Sequence, residues 1–228
     1  TSCYQQRKAK PTVKNRITLS KSILISSLVM GMLFSFTVSA QPKTEEVYNA
    51  VKKKYGAASS LQCNFSSVLG TQIPITGTVK AKKGNKFILD LGSRMIVCNG
   101  ETVWNYTKTT NTVVVSNYED KGQISIEKVF FTYLNAYTSA ATFSEQTSKG
   151  EKYTTLRLLP PTPEKVINGV KSISIALNPK TLAMQRISLT DPSGTQLWKI
   201  SSLKTDTKLA DSVFEFTPPK DVQVVDMR

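Results

Sequence analysis

The chain has 228 residues, with 30 Lys and Arg against 16 Asp and Glu, a formal charge of +14 at pH 7, and no histidine. That length suits one domain around one core, and the missing histidine removes the usual general base and the commonest metal ligand. Positive charge favours anionic surfaces such as phospholipid headgroups, but no arginine-rich run or nucleic-acid motif accompanies it, so nucleic acid is not an expected partner.

The first forty residues stand apart. They carry Arg7, Lys8, Lys10, Lys14, Arg16 and Lys21 and no acid, so much of the headline charge belongs to them. After Lys21 comes SILISSLVMGMLFSFTVSA, closing on Val38-Ser39-Ala40 before Gln41-Pro42. A basic region, an apolar run and small residues at −3 and −1 read as a cleavable signal peptide over 1–40. A membrane anchor is the alternative, disfavoured because Ser and Gly dilute the run and a cleavage site ends it. No cysteine follows the run, and Cys3 precedes it, so the chain does not read as a lipoprotein itself. Residues 41–228 are then the working domain.

A helix is predicted over 44–55. Thr44 stands as N-cap, Glu45 and Glu46 fill the first turn, and Val47, Tyr48, Val51 and Tyr55 recur at helical spacing before Gly56. From Leu61 the period becomes two. Leu61, Cys63 and Phe65 share a face, as do Ile73, Ile75, Gly77 and Val79. Phe87, Leu89 and Leu91, then Met95 and Val97, then Thr102, Trp104 and Tyr106, then Val113 and Val115 continue the series, with turns at Lys83-Gly84-Asn85, Gly92-Ser93 and Asn99-Gly100. This is an antiparallel meander. It is interrupted by ISIEKVFFTYLNAY, 124–137, where Ile126, Val129, Phe130, Tyr133, Leu134 and Tyr137 fall on one helical face. Strands return from Phe143 to Leu203, and Phe214–Phe216 and Val222–Val225 finish the chain around Pro218-Pro219. The fold class is mainly β: about eleven strands in a single curved antiparallel sheet, with two helices.

Export permits a disulfide between Cys63 and Cys98. The alternation of Cys63 with Leu61 and Phe65 favours a buried, small apolar residue instead.

Catalytic machinery is hard to find. No serine sits in a G-x-S-x-G setting, Asp90, Glu101, Glu119, Asp120 and Glu145 form no tight pair or metal spacing, and there is no Gly-rich phosphate loop. The chain is therefore read as a non-enzyme with no cofactor and no metal. What remains is a sheet whose inner face has only two helices to cover it. The space between is either filled by side chains or is a ligand cavity lined by Phe65, Phe87, Leu89, Trp104, Tyr106 and Trp198; the pattern leaves both open.

The ordered segments CNFSSV, GTVKAKKGNKFILD, MIVCNGETVWNY, LNPKTLAMQRISLTDPSGTQLWKI and FEFTPPKDVQVVD resemble the periplasmic outer-membrane lipoprotein carrier family, LolA-like, from about Glu45 to Asp226. The resemblance implies an incomplete barrel with a helical lid and an apolar cavity for lipoprotein acyl chains. It adds Phe130, Tyr133, Leu134 and Tyr137 from the lid to the cavity residues. It also implies a monomer in the periplasm that receives acylated lipoproteins from an inner-membrane ABC transporter and delivers them to an outer-membrane acceptor. One departure stands out. Where the family has an Arg-Pro whose arginine latches the lid, this chain has Lys83-Gly84; lysine lacks the planar donor fork, so a latch at Lys83 is in doubt. The alternatives on the same fold are a carrier of another lipid or glycolipid, and an envelope-stress sensor that binds a protein partner.

Overall fold

Alternating strands dominate, as the period-two pattern requires. The computed structural model describes residues 43–67, 74–120 and 125–228. The signal-peptide reading at 1–40, Cys3, Ile73 and Ile124 lie outside the described residues. The strands are β1 (Ser60–Ser67), β2 (Ile75–Lys82), β3 (Lys86–Asp90), β4 (Arg94–Asn99), β5 (Thr102–Thr107) and β6 (Thr112–Asn117). They continue with β7 (Thr138–Gln146), β8 (Lys152–Leu159), β9 (Ser172–Leu177), β10 (Met184–Asp191), β11 (Gly194–Thr205) and β12 (Gln223–Asp226).

All twelve form one sheet in the order β12-β6-β5-β4-β3-β2-β1-β11-β10-β9-β8-β7, which is not closed into a barrel. Two meanders, β1 to β6 and β7 to β11, are joined where β1 pairs with β11, Phe65 opposite Ile200. The expectation of about eleven antiparallel strands needs two corrections. There are twelve among the described residues, and the last pairs parallel to β6, Val224 beside Val113. The chain reaches that edge from across the sheet rather than by a hairpin, so nothing forces an antiparallel return.

The first helix is α1 (Thr44–Val51), continued by a π-helical turn over Lys52–Gly56. Lys43, not Thr44, is the N-cap and makes no side-chain cap; the Thr44 hydroxyl instead meets that of Thr142 at 3.1 Å. The second helical segment runs α2 (Ile126–Lys128), a π-helical turn Val129–Tyr133, and α3 (Leu134–Ala136). The predicted faces are the buried ones: Val47, Tyr48, Val51 and Tyr55 on one helix, Ile126, Val129, Phe130, Tyr133, Leu134 and Tyr137 at the other. The two segments meet edge to face at Tyr55 and Phe130, ring centroids 5.8 Å apart.

The first helix packs against β7 and β8 and the second begins over β2, and in the core they share with the sheet Leu156, Leu158, Ile173, Ile175 and Ile187 are fully buried. Hydrogen bonds between side chains and backbone fasten them. Tyr48 donates to the Tyr137 carbonyl at 2.7 Å, Tyr137 to that of Val170 at 2.6 Å, and Asn135 to that of Gly56 at 3.0 Å.

The opposite face has a smaller core. Val97, Trp104 and Val115 stand in register across β4, β5 and β6, beside Met95, Tyr106 and Val113. The C-terminal segment crosses this face. Phe214–Phe216 was expected as a strand, but Asp211–Phe214 is a short 3₁₀ turn that leaves Phe214 fully buried. Phe216 then meets the Tyr106 ring at 5.5 Å. Lys82 and Lys86 each reach Asp211 at 2.7 Å and hold its carboxyl down to about 2.

Cys63 and Cys98 are both free and buried. Cys98 aligns through Phe87 and Ala81 with Leu61, so three strand spacings, roughly 14 Å, separate β4 from β1; a disulfide needs Cα atoms within about 7 Å. Burial, and then the negative charge of Glu127, push the Cys63 thiol up to about 12.

Two outcomes follow from this packing. Phe214→Ala should destabilise the protein by about 3–5 kcal/mol in chemical denaturation, as for other fully buried aromatics; a loss within the ~0.5 kcal/mol of a surface change would show that the C-terminal segment is not part of the core. Alkylation at pH 8 should leave Cys63 and Cys98 unmodified in the native protein, the thiolate of Cys63 being about one part in ten thousand. Both should react once the chain is denatured without reductant, and a linked Cys63–Cys98 peptide would contradict the geometry.

Candidate functional site

The half of the sheet that the helices leave uncovered is built in rows. Side chains paired directly across strands share a face. One row on the inner face runs Leu61, Ala81, Phe87, Cys98, Val103, Ser116, and the next runs Cys63, Val79, Leu89, Ile96, Asn105, Val114. In a third row Phe65 stands opposite Gly77. A Cβ at Gly77 would lie 2.5 Å from the Asp90 carbonyl oxygen and 3.0 Å from the Phe65 ring, so only glycine lets that ring lie against the strand.

Above these rows is a cavity of about 660 Å³, within the ~300–1,000 Å³ typical of ligand pockets. Its floor is aliphatic and aromatic: Phe65, Val79, Phe87, Leu89, Leu91, Ile96, Val103, Val114 and Trp198. Ile126 at the start of the second helical segment bounds it on one side, and Ile75 and Met227 also line it. A polar side is formed by Ser116 to Asp120 and by Ser125, Glu127 and Lys128. A shallower depression across Asn64, Thr76, Thr78 and Ser201 lies on the other face, too open to shelter an apolar chain.

Charge is concentrated on the polar side. Lys128 reaches Asp120 at 2.5 Å with its side chain only 13% exposed. Arg94, exposed at the edge of the cavity, donates to Asn105 at 2.6 Å. Glu127 accepts a hydrogen bond from the Ser125 hydroxyl, and burial pushes its carboxyl above the ordinary carboxylate range. Burial likewise raises Tyr118, with Asp120 adding to it.

The residues expected to line a cavity divide into four groups. Phe65, Phe87, Leu89 and Trp198 line it. Trp104 and Tyr106 point to the opposite face under the C-terminal segment, and Val103 and Asn105 take their places. Phe130, Tyr133, Leu134 and Tyr137 are buried in the core with the second helical segment and are not part of the cavity's lining. Lys83 is an exposed turn residue whose backbone N–H bonds to the Ser59 carbonyl. No side-chain hydrogen bond or ion pair of Lys83 is present among the described residues.

Val79, Ile96, Val103, Val114 and Glu127 were missed. The turn at Asn99-Gly100 fixes β4 against β5, and counting from Phe87 through Cys98 would have given Val103. Trp104, next to Val103, is the bulkier group and lies in the opposite phase of the strand.

The family model described as Outer membrane lipoprotein carrier protein LolA matches residues 58–217. The outer-membrane lipoprotein carrier protein of Legionella pneumophila (strain Lens) is 25% identical over 207 residues, covering 87% of this chain and 96% of the relative. Among solved structures, an uncharacterized conserved protein from Thermus thermophilus is similar at 18% identity and a TM-score of 0.47, covering 80% of this chain and 98% of that one. A LolA superfamily protein from Nitrosomonas europaea is similar at 12% identity and a TM-score of 0.40, covering 76% and 97%. Since the family model spans most of the described domain, the chain belongs to the LolA family, a family of outer-membrane lipoprotein carriers and not of enzymes.

Proposed function

We propose that this protein is a periplasmic carrier that takes up the acyl chains of lipoproteins in the cavity over β2 to β6. It would receive them from an inner-membrane ABC transporter and deliver them to an outer-membrane acceptor. The observation that carries the reading is the unequal burial of the two halves of the sheet. Every residue of β3 and β5 is half-buried, while β8 and β9 together bury most of theirs. Phe87, Leu89, Ile96 and Val103 therefore face a space that the side chains of the described residues do not fill.

Acyl chains suit such a space. Each methylene removed from water gains about 0.8 kcal/mol, and an aliphatic floor with few directional polar groups grips a chain without demanding one shape. The helices need not move for entry: Tyr137 donates to the Val170 carbonyl and Tyr55 to that of Leu182, while Tyr48 and Asn135 join the two helical segments to each other. On this reading Phe130, Tyr133, Leu134 and Tyr137 support the cavity wall from behind and do not touch the cargo, and Lys83 has no part in retention.

The reading is tested by substituting the floor. Leu89→Glu puts a carboxylate among the half-buried rows. It should abolish co-purification of lipoprotein with the mature protein and weaken binding of a fluorescent acyl probe at least tenfold, with the fold preserved by circular dichroism. Trp104→Phe, on the opposite face, should leave probe binding within twofold of wild type. Full retention of cargo by Leu89→Glu, or mass spectra showing a glycolipid as the native ligand, would overturn the lipoprotein assignment.

A further inference from the structure

We propose that Glu127 is a headgroup site within the cavity and takes a primary ammonium carried next to the acyl chains of the bound amphiphile. The proposal rests on the reading of the cavity as an acyl-chain site and adds to it a preference the apolar floor cannot supply.

Glu127 lies one residue into the second helical segment and lines the cavity. The residue is half-buried and borders the cavity.

Its partners are few. The Ser125 hydroxyl donates one hydrogen bond, and the residue's own backbone N–H supplies another. None of the ion pairs among the described residues includes Glu127. Lys128 pairs directly with Asp120 while its charge still favours the Glu127 carboxylate, and Arg94 donates through Nε to Asn105. A buried carboxylate that no cation pairs directly is unfavourable, and the charge of Lys128 offsets only part of that cost. It either holds a proton or meets a positive charge that arrives with the ligand.

An ammonium beside acyl chains occurs in two settings: the free α-amine of a diacylated lipoprotein cysteine, and the headgroup of an aminophospholipid. Both present N–H donors close to where the chains begin. An N-acylated lipoprotein has lost that charge.

Protonation provides a second handle. The other groups facing Glu127 are Cys63, Cys98 and Tyr118, each raised by burial, together with Lys128, Asp120, Glu119 and Arg94. The three raised groups stay neutral through the range in which Glu127 titrates. Burial raises Glu127 above 4.5, so the empty cavity holds its proton to higher pH, and binding an ammonium expels it. Affinity for an amine ligand should therefore rise with pH through that interval, whereas affinity for a neutral ligand should stay level or fall.

The test uses wild type and Glu127→Gln in calorimetric titrations at pH 5, 6 and 7.5. The probes are a dipalmitoyl lipopeptide with a free α-amine, its N-acetylated twin, and short-chain phosphatidylethanolamine against phosphatidylglycerol. Wild type should prefer the amine over its neutral twin by about tenfold, in keeping with a charge-assisted hydrogen bond, and increasingly as pH rises. Glu127→Gln should lose the preference and its pH dependence while still binding the N-acetylated lipopeptide, which also reports that it is folded. A preference for the lipopeptide amine assigns the site to protein cargo, and one confined to phosphatidylethanolamine assigns it to phospholipid. Equal binding of amine and neutral twins by wild type overturns the headgroup site and leaves the acyl cavity standing; no binding of any acyl probe overturns both.

Discussion

The inner face of a twelve-strand sheet has to be kept from water, and the described chain has only two short helical segments to do it with. Eleven strand spacings of about 4.8 Å make a surface roughly 53 Å across. Two helices side by side, each about 10 Å wide, cover on the order of 20 Å. The rest of the face must curl toward itself, and what it curls around is the cavity. The first helix packs against β7 and β8 and the second begins over β2, so the shortfall falls on β2 to β6. The cavity is thus a consequence of layer arithmetic before it is a matter of particular residues.

The same constraint shapes the outer face. Along β5, Val103, Trp104, Asn105 and Tyr106 place large or apolar groups on both sides of the sheet. Tyr106 is partly shielded by the crossing C-terminal segment, whose Phe216 meets its ring, and Phe214 of the same segment is fully buried. Asp211 fixes where that crossing begins by joining Lys82 and Lys86. β12 then caps the β6 edge, and with Pro218-Pro219 ahead of it the edge is less able to recruit another chain.

This two-sided burial explains which parts of the fold were legible in the sequence. The helix faces were, because Val47, Tyr48, Val51 and Tyr55 repeat at a spacing that has one interpretation. The strands and most turns were, because Asn99-Gly100 and Asp191-Pro192-Ser193-Gly194 separate runs of clear alternation. The phase of β5 was not, since an alternation with bulky groups in both phases does not say which one faces inward. Phe214-Glu215-Phe216 reads as a strand by period, but a 3₁₀ turn followed by extended chain can place two phenylalanines on one surface equally well. The parallel pairing of β12 depends on the route the chain takes across the sheet, which no local pattern carries. The buried face of the second helical segment was legible too, from the spacing of Ile126, Val129, Phe130, Tyr133, Leu134 and Tyr137.

A carrier has to hold its cargo and also give it up, and the half-covered sheet meets both demands on the proposed reading. A chain of about fifteen methylenes gains on the order of 12 kcal/mol when fully removed from water, and several such chains wholly enclosed would leave too slowly for transfer. Rows that stay half-buried when empty offer one wall of contact and leave the other to the ligand's neighbouring chains, so part of that energy is never realised and release remains accessible. Glu127 stands where the covered and uncovered halves meet, at the start of the helical segment that bounds the cavity. A charge at that boundary affects apolar binding little when the ligand is neutral and strongly when the ligand brings an opposite charge. Discrimination can therefore be set at the wall of the cavity while the floor stays indifferent to chain length and shape.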